Sequence, residues 1–399
     1  MKALENLLIL DLTHMLSGPY ATMLLADMGA RTIKIEPPGR GEITRTALNE
    51  NPEYSRSGLG PYFLTLNRNK RSIAIDLKSQ AGLDIFYGLV KDADIVFDNF
   101  SAGVTKRLKI DHNTLISINP KIITCSVTGF GETGPEIDRP AFDQVVQGMG
   151  GGMSITGEPG GSPLRAGIPI GDLSGGLFGA LGVLAAVCAR GATGRGQHVD
   201  VSMLDCQISL LNYMATMYLL SGRDPEPLGN GHFVHIPYNT FRTTTDWIII
   251  AVIGDNFWKN LLDVFDSPVL RNEKYLNQPG RFEDREIINS IVQDILMTNT
   301  AEYWLKKLKE KRVPCAPVNK FSKALNDPQI LSRNMVVSVK NKNGDEVKMP
   351  GNPIKLSENC PEEFTYPPQL GEHTDEILIE ILGYTKDRLS ELRSKNVIG

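Results

Sequence analysis

Five short apolar runs separated by helix-patterned segments occupy the first 130 residues, and this alternation constrains the fold more than any other feature of the chain. Leu7 to Leu12 reads as a strand, Tyr20 to Met28 as a helix, and Thr32 to Ile35 as a strand stopped by Pro37 and Pro38. Ser72 to Ile75 reads as the next strand. Leu83, Phe86, Tyr87 and Val90 mark one helical face, and Ile95 to Phe97 and Ile122 to Val127 add two more strands. Strands alternating with helices imply a parallel sheet covered by helices through right-handed crossovers. The expected fold is therefore α/β, with a Rossmann-like first domain. The turn from Leu12 to Pro19 lacks the glycine fingerprint of a dinucleotide site, so that shape does not imply a dehydrogenase. The run Gly148 to Gly152 has no strong strand before it and reads as a flexible loop near the site.

Further along, a helix runs through Arg190, a strand is expected from His198 to Ser202, and a long Met-rich helix from Leu204 to Leu220. From about Pro225 the character changes. Trp247 to Val252 reads as a strand, and Phe257–Phe265, Arg285–Met297 and Glu302–Lys311 as helices, which suggests a smaller α+β domain. A hairpin turning at Asn343 and Gly344 and two helices, around 376–382 and 387–393, close the chain. The expected boundaries are 1–224 for a large α/β domain, 225–325 for the small domain, and 326–399 for a segment returning to the first.

With 399 residues, 41% of them hydrophobic, the chain can bury a large core. A net charge of -4 argues against nucleic acid or an anionic membrane as the main partner and favours a small substrate. Met1 to Asn6 leads straight into the first strand, and Leu177 to Ala189 is too short to span a bilayer, so a soluble cytoplasmic protein is expected. Cys125, Cys188, Cys206, Cys315 and Cys360 are scattered and read as buried thiols, without a disulfide framework. The six histidines lack metal-ligand spacing, and no metal is implied.

The candidate for chemistry is Asp172, which lies among Gly167, Gly171, Gly175 and Gly176 just before an apolar helix. Glycines allow a bulky substrate to approach the backbone, and a helix N-terminus favours a carboxylate ionised at neutral pH. One reading makes Asp172 a nucleophile or base; the other makes it the cap of the helix that follows.

Motifs along nearly the whole chain place Asp172 in a wider pattern. They are Thr13-His14 with Gly18-Pro19, Asn69-Lys70-Arg71 leading to Ile75-Asp76-Leu77-Lys78, Asn99-Phe100 with Arg107-Leu108, and Gly129-Phe130-Gly131 with Gly134-Pro135. Gly171-Asp172, Gly194-Arg195-Gly196-Gln197 and Leu370-Gly371-Glu372-His373-Thr374 complete the set. With them the chain resembles the class III CoA-transferases, the family that includes formyl-CoA transferase and carnitine CoA-transferase and is related to α-methylacyl-CoA racemase. The resemblance implies an aspartate nucleophile at Asp172 that carries CoA as an aspartyl thioester. Coenzyme A and acyl-CoA serve as substrates, without a permanently bound cofactor, and a small carboxylic acid is the acceptor. It also implies CoA contacts at Met15, Leu16, Ile75, Lys78, Asn99, Phe100, Ser101 and Arg107, and a homodimer of interlocked ring-shaped chains. Lys70 and Arg71 either face solvent or precede a strand bordering the CoA cleft. Gly150 and Gly151 are candidates to stabilise the oxyanion with backbone N–H groups, and Asp143 serves either as a site residue or as a structural hydrogen-bond acceptor.

Val252 to Asn256 stands in place of the glycine-rich loop of formyl-CoA transferase, and Leu16 in place of its glutamine, which points away from formyl or oxalate chemistry. His235, Pro237, Tyr238 and Phe241 resemble a segment of members acting on dicarboxylates. Racemase chemistry is the main alternative, but Phe142 occupies the position of the racemase's histidine and cannot move a proton. An inactive CoA-binding protein is the alternative of a different class.

Overall fold

The structure, a computed structural model, describes residues 2–359 and 362–399. Six strands form one sheet: β1 (Leu8–Asp11), β2 (Arg31–Glu36), β3 (Lys70–Ala74), β4 (Ile95–Asp98), β5 (Ile123–Thr128) and β6 (His198–Ser202). Their spatial order is β3-β2-β1-β4-β5-β6, and every pairing is parallel. The order reverses between β1 and β4, where Ile9 pairs with Ile95 and Asp11 with Phe97. In such a sheet ligands gather at the carboxyl ends of the strands beside that reversal.

Side-chain alternation builds the sheet's two cores. Leu8, Leu10, Ile33, Ile35 and Ile73 face one side and pack with Phe86 and Leu89 of the helix Gln80–Asp92. Ile9, Ile95, Phe97, Cys125 and Val127 face the other, against Leu25 of α1 (Ser17–Asp27) and Val183 of a long later helix. The residues near the C-terminus complete the first core: Ile377, Leu378, Leu389 and Leu392 lie in it, and the Gly399 amide donates to the Ala74 carbonyl. The Asn343–Gly344 turn joins antiparallel strands Val336–Lys340 and Glu346–Pro350.

The chain divides into two compact units. One comprises Met1–Gly152, Arg165–Gly222 and Gln329–Gly399; the other comprises Met153–Leu164 and Arg223–Pro328. Residues 153–164, placed in the first piece by the sequence reading, therefore group with the second unit. That unit has a three-stranded antiparallel sheet (Tyr238–Arg242, Trp247–Ala251, Cys315–Pro317) around a core of Trp258, Phe265 and Trp304.

Several expectations need correction. Gly148 and Met149 are not loop but the end of α2 (Asp143–Met149). The apolar helix is α3 (Ile170–Thr193), 24 residues instead of the expected 13, and it is long and apolar enough to cross a membrane. Its Gly176, Gly179 and Val183 are buried against α1, β4 and β5, as in the core helix of a globular unit. The helix expected over 204–220 is two, α4 (Met203–Leu211) and α5 (Tyr213–Ser221), broken where Asn212 takes a positive φ of 50°. Cys188 is an exposed thiol and Cys315 half-buried, because both lie on partly covered faces; Cys360 lies outside the described residues. Lys70 and Arg71 open β3 itself instead of preceding it: Lys70 does not face solvent but is buried in an ion pair with Asp11 at 2.9 Å, and the half-exposed Arg71 pairs with Glu376 and Glu380.

Candidate active site

Asp172 occupies the first turn of α3 without capping it, since Pro169 is the N-cap and no side chain of that residue bonds the helix. Asp143 does so from α2. Its Oδ1 accepts the Gly171 amide at 2.8 Å and the Asp172 amide at 3.3 Å, and its Oδ2 accepts Gln147 Nε2 at 2.7 Å. A carboxylate at these orphan donors is a favourable cap. Gln147 is buried and accepts the Ala166 amide, so the segment entering α3 is tied to the same helix. From α4, Gln207 donates to Ser174 Oγ at 3.1 Å. The backbone around Asp172 is thus fixed from two sides.

The Asp172 carboxylate, in contrast, has no hydrogen bond or ion pair among the described residues, and it is half-buried. Burial, and then the charge of Asp143, raise its pKa to about 6. This corrects the expectation of a carboxylate ionised without difficulty: a pKa near 6 leaves it about nine-tenths ionised at pH 7, but poorly solvated and therefore reactive.

The glycines around it also differ from expectation. The bare faces of Gly171, Gly175 and Gly176 meet protein, whereas Gly167, ahead of the helix, has open space beside it. A Cβ on Gly171 would lie 2.7 Å from Val146 Cγ2, one on Gly175 2.9 Å from Met203 Cγ, and one on Gly176 2.4 Å from the Ser17 carbonyl. Their function is to let α3 approach α1, α2 and α4 closely. Asp172 lies one helical turn before Gly176 and shares its face, which turns it toward the start of α1. Gly150 is equally occupied: its amide donates to the Val146 carbonyl at 2.8 Å, so it is spent on ending α2. Gly151 holds a left-handed φ of 80°.

The start of α1 is an uncapped helix end. No side chain caps it, its first turn has no acidic residue, and the Leu16, Ser17 and Gly18 amides have no acceptor among the described residues. Its positive dipole end and orphan N–H groups suit an anion. Beside it, at the carboxyl ends of β1, β2 and β3, lies a cavity of about 610 Å³. Among the expected CoA residues, Ile75, Lys78 and Phe100 line it. Met15, Leu16, Asn99, Ser101 and Arg107 do not. Asn99 is engaged with the backbone of His14, donating to its carbonyl and accepting from its amide, while Ser101 and Arg107 are exposed. Phe142, at 66% exposure, is the N-cap residue of α2.

The sequence reading missed His14, Arg40 and Glu42, which also line the cavity. The signal was the Gly39-Arg40-Gly41-Glu42 loop after β2, at the end of the sheet where α/β proteins bind ligands. The His14 ring lies 5.1 Å from that of Phe100; burial, then the charge of Lys34, lower its pKa below the usual value, which favours the neutral ring. Among the described residues, no group of three or more His, Cys, Asp or Glu is placed to hold a metal ion.

Residues 4–374 match the family model described as CoA-transferase family III. The chain belongs to this family. Over 371 residues it is 38% identical to the acetyl-CoA:oxalate CoA-transferase of Acetobacter aceti, covering 92% of this chain and 93% of that one. It is also 38% identical over 389 residues to the succinyl-CoA:mesaconate CoA-transferase of Haloarcula hispanica, covering 95% and 96%. A crystal structure of a CAIB/BAIF family protein from Brucella suis superposes with a TM-score of 0.84 at 32% identity, covering 95% of this chain and 99% of that one. The protein is accordingly an enzyme, a CoA-transferase of family III.

Proposed function

We propose that this CoA-transferase moves coenzyme A from an acyl-CoA donor to a dicarboxylic acid through an aspartyl-CoA thioester on Asp172. The observation that carries the reading is the unpartnered, half-buried Asp172 carboxylate with its raised pKa, held by its backbone beside an uncapped helix end. An Asp172 oxygen attacks the thioester carbonyl, the C–S bond breaks, and CoA thiolate leaves a mixed anhydride. The thiolate attacks the aspartyl carbonyl and expels the donor's carboxylate, leaving CoA on Asp172. The acceptor carboxylate then attacks that thioester and releases thiolate, which takes the acceptor acyl group and frees Asp172. Each attack places negative charge on a carbonyl oxygen. The free N–H groups of α1 suit that oxygen better than Gly150, whose amide is occupied.

The cavity beside α1 takes part of CoA in this reading, with Phe100 and Ile75 giving apolar contact and Lys78 and Arg40 facing the phosphates. The oxalate and mesaconate in the relatives' names support a dicarboxylate acceptor. Phe142 offers no second base, so the racemase reading gains nothing here. A second copy of the chain is the proposed partner, since Leu177 and Leu181 of α3, Ile208 of α4, and Leu219 and Leu220 of α5 all stand exposed. Light scattering would show the dimer.

Acyl-CoA with hydroxylamine should inactivate the enzyme and modify the peptide containing Asp172. Asp172→Ala should abolish transfer while CoA still binds in titration calorimetry. Retained turnover would refute the intermediate, and a panel of acyl-CoA donors with oxalate, mesaconate, succinate and glutarate would identify the acceptor. Unmodified protein after such treatment would favour the inactive CoA-binding alternative.

A further inference from the structure

Between β1 and α1 each backbone polar group from the Thr13 amide to the Met15 amide is bound by a side chain. Asp11 Oδ1 accepts the Thr13 amide at 2.9 Å, and Lys34 Nζ donates to the Thr13 carbonyl at 2.7 Å. Asn99 takes both His14 groups, and Glu42 Oε1 accepts the Met15 amide at 2.8 Å. Met15 sits at φ 64°, a left-handed conformation that residues with a side chain rarely adopt. It is the last residue before the free N–H groups of α1, so its dihedral sets the direction in which they point.

Glu42 is suited to hold it. It is 5% exposed, and its own amide donates to Glu36 Oε1 at 3.0 Å. Glu36 is in turn locked by Arg45 Nε and NH2 at 2.7 and 2.6 Å. The Glu42 carboxylate also accepts the Thr44 amide and hydroxyl, which leaves it little freedom to rotate away from Met15.

We propose that Glu42 is a positioning residue of the transfer reaction: by binding the Met15 amide it fixes the strained turn that aims the α1 N-terminus at the oxygen developing beside Asp172. The inference rests on the aspartyl-CoA reading, and only the reacting state depends on it. Removal of the carboxylate lets Met15 relax, and the donors of α1 turn away from the reacting oxygen. CoA bound along the cavity keeps its other contacts.

The test is steady-state kinetics with CoA titration and thermal melting on Glu42→Ala, Glu42→Gln and Thr44→Val. Glu42→Ala should lose about 10²-fold in kcat, the scale of a small misplacement of catalytic groups, with CoA affinity changing far less than kcat. Glu42→Gln keeps an oxygen acceptor for the Met15 amide and should recover most of that kcat. Thr44→Val removes one of the contacts that keep Glu42 from rotating but leaves the Met15 amide its acceptor, so kcat should fall far less than in Glu42→Ala; a purely structural role would instead lower kcat in step with the melting temperature in all three variants. The proposal is overturned if Glu42→Gln is as impaired as Glu42→Ala, or if Glu42→Ala weakens CoA binding while kcat is kept. Failure of the underlying reading is separate, because it appears as turnover by Asp172→Ala whatever Glu42 does.

Discussion

At the scale of single residues, two aspartates divide the work at the start of α3. Asp143 spends its oxygens on backbone and amide donors, while Asp172 keeps its carboxylate unbonded and partly desolvated. The pKa near 6 has a kinetic consequence, since only the ionised form attacks. Formation of the aspartyl-CoA intermediate should fall as pH drops through about 6. Asp143→Asn keeps an acceptor for the Gly171 amide but removes the charge, so the acidic limb of a single-turnover pH profile should move to lower pH. An unmoved limb would leave burial as its sole cause. The same shift has a stability consequence. The folded pKa lies above the ordinary 3.8, so the charged form costs stability above about 6, and that cost fades as pH falls from 6 toward 3.8. Asp172→Asn should therefore melt higher than wild type at neutral pH, with the difference shrinking in acid. Equal melting temperatures at all pH values would mean that the carboxylate is well solvated.

At the scale of elements, close helix approach explains the glycines better than substrate access does. Gly176 brings α3 onto the Ser17 carbonyl of α1, and Gly175 brings it onto Met203 of α4. Gly176→Ala forces a Cβ to within 2.4 Å of that carbonyl. Such overpacking typically costs about 1–3 kcal/mol, and here it also shifts the α1 N-terminus, so transfer should slow. Gly191, in the same helix, has nothing near it; Gly191→Ala should stabilise by about 0.5–1 kcal/mol through helix propensity. Urea unfolding of both variants checks the pair. Similar effects from the two substitutions would show that helix contact does not decide. The helices around Arg285–Leu296 and Ala301–Glu310 were legible because their apolar positions recur at helical spacing. The break at Asn212 was not legible, because apolar residues continue across it and only the backbone turns.

At the scale of the whole molecule, distant parts of the sequence meet in the first unit. Arg68 is buried with Asp27 in a two-pronged pair at 2.9 and 2.7 Å, and it also donates to the Pro350 carbonyl. Asn352 reaches the same aspartate. Removing one partner of such a pair strands a buried charge, so Arg68→Ala should cost about 3–5 kcal/mol. A much smaller loss in chemical denaturation would mean that water enters and solvates Asp27. Ile377, Leu378, Leu389 and Leu392 belong to the main core, so truncation before residue 374 should expose apolar sheet surface and yield aggregated protein, not a trimmed soluble unit. Soluble, cooperatively melting truncated protein would contradict this.

The sequence alone determined the parallel α/β architecture, the family and Asp172 as the candidate, because strand and helix periodicity are local and the motifs lie in contiguous residues. What lay beyond it depended on long-range approach. The Asp143 cap, the raised pKa of Asp172 and the protein-facing glycines each arise where residues far apart in sequence come within a few ångströms of one another. Arg40 and Glu42 join the cavity because the β2 loop folds back beside the β1–α1 turn, and Asn99 stays out of its lining because that same turn holds both ends of its amide. Residue type is written in the chain, whereas solvation and partners are fixed only by packing.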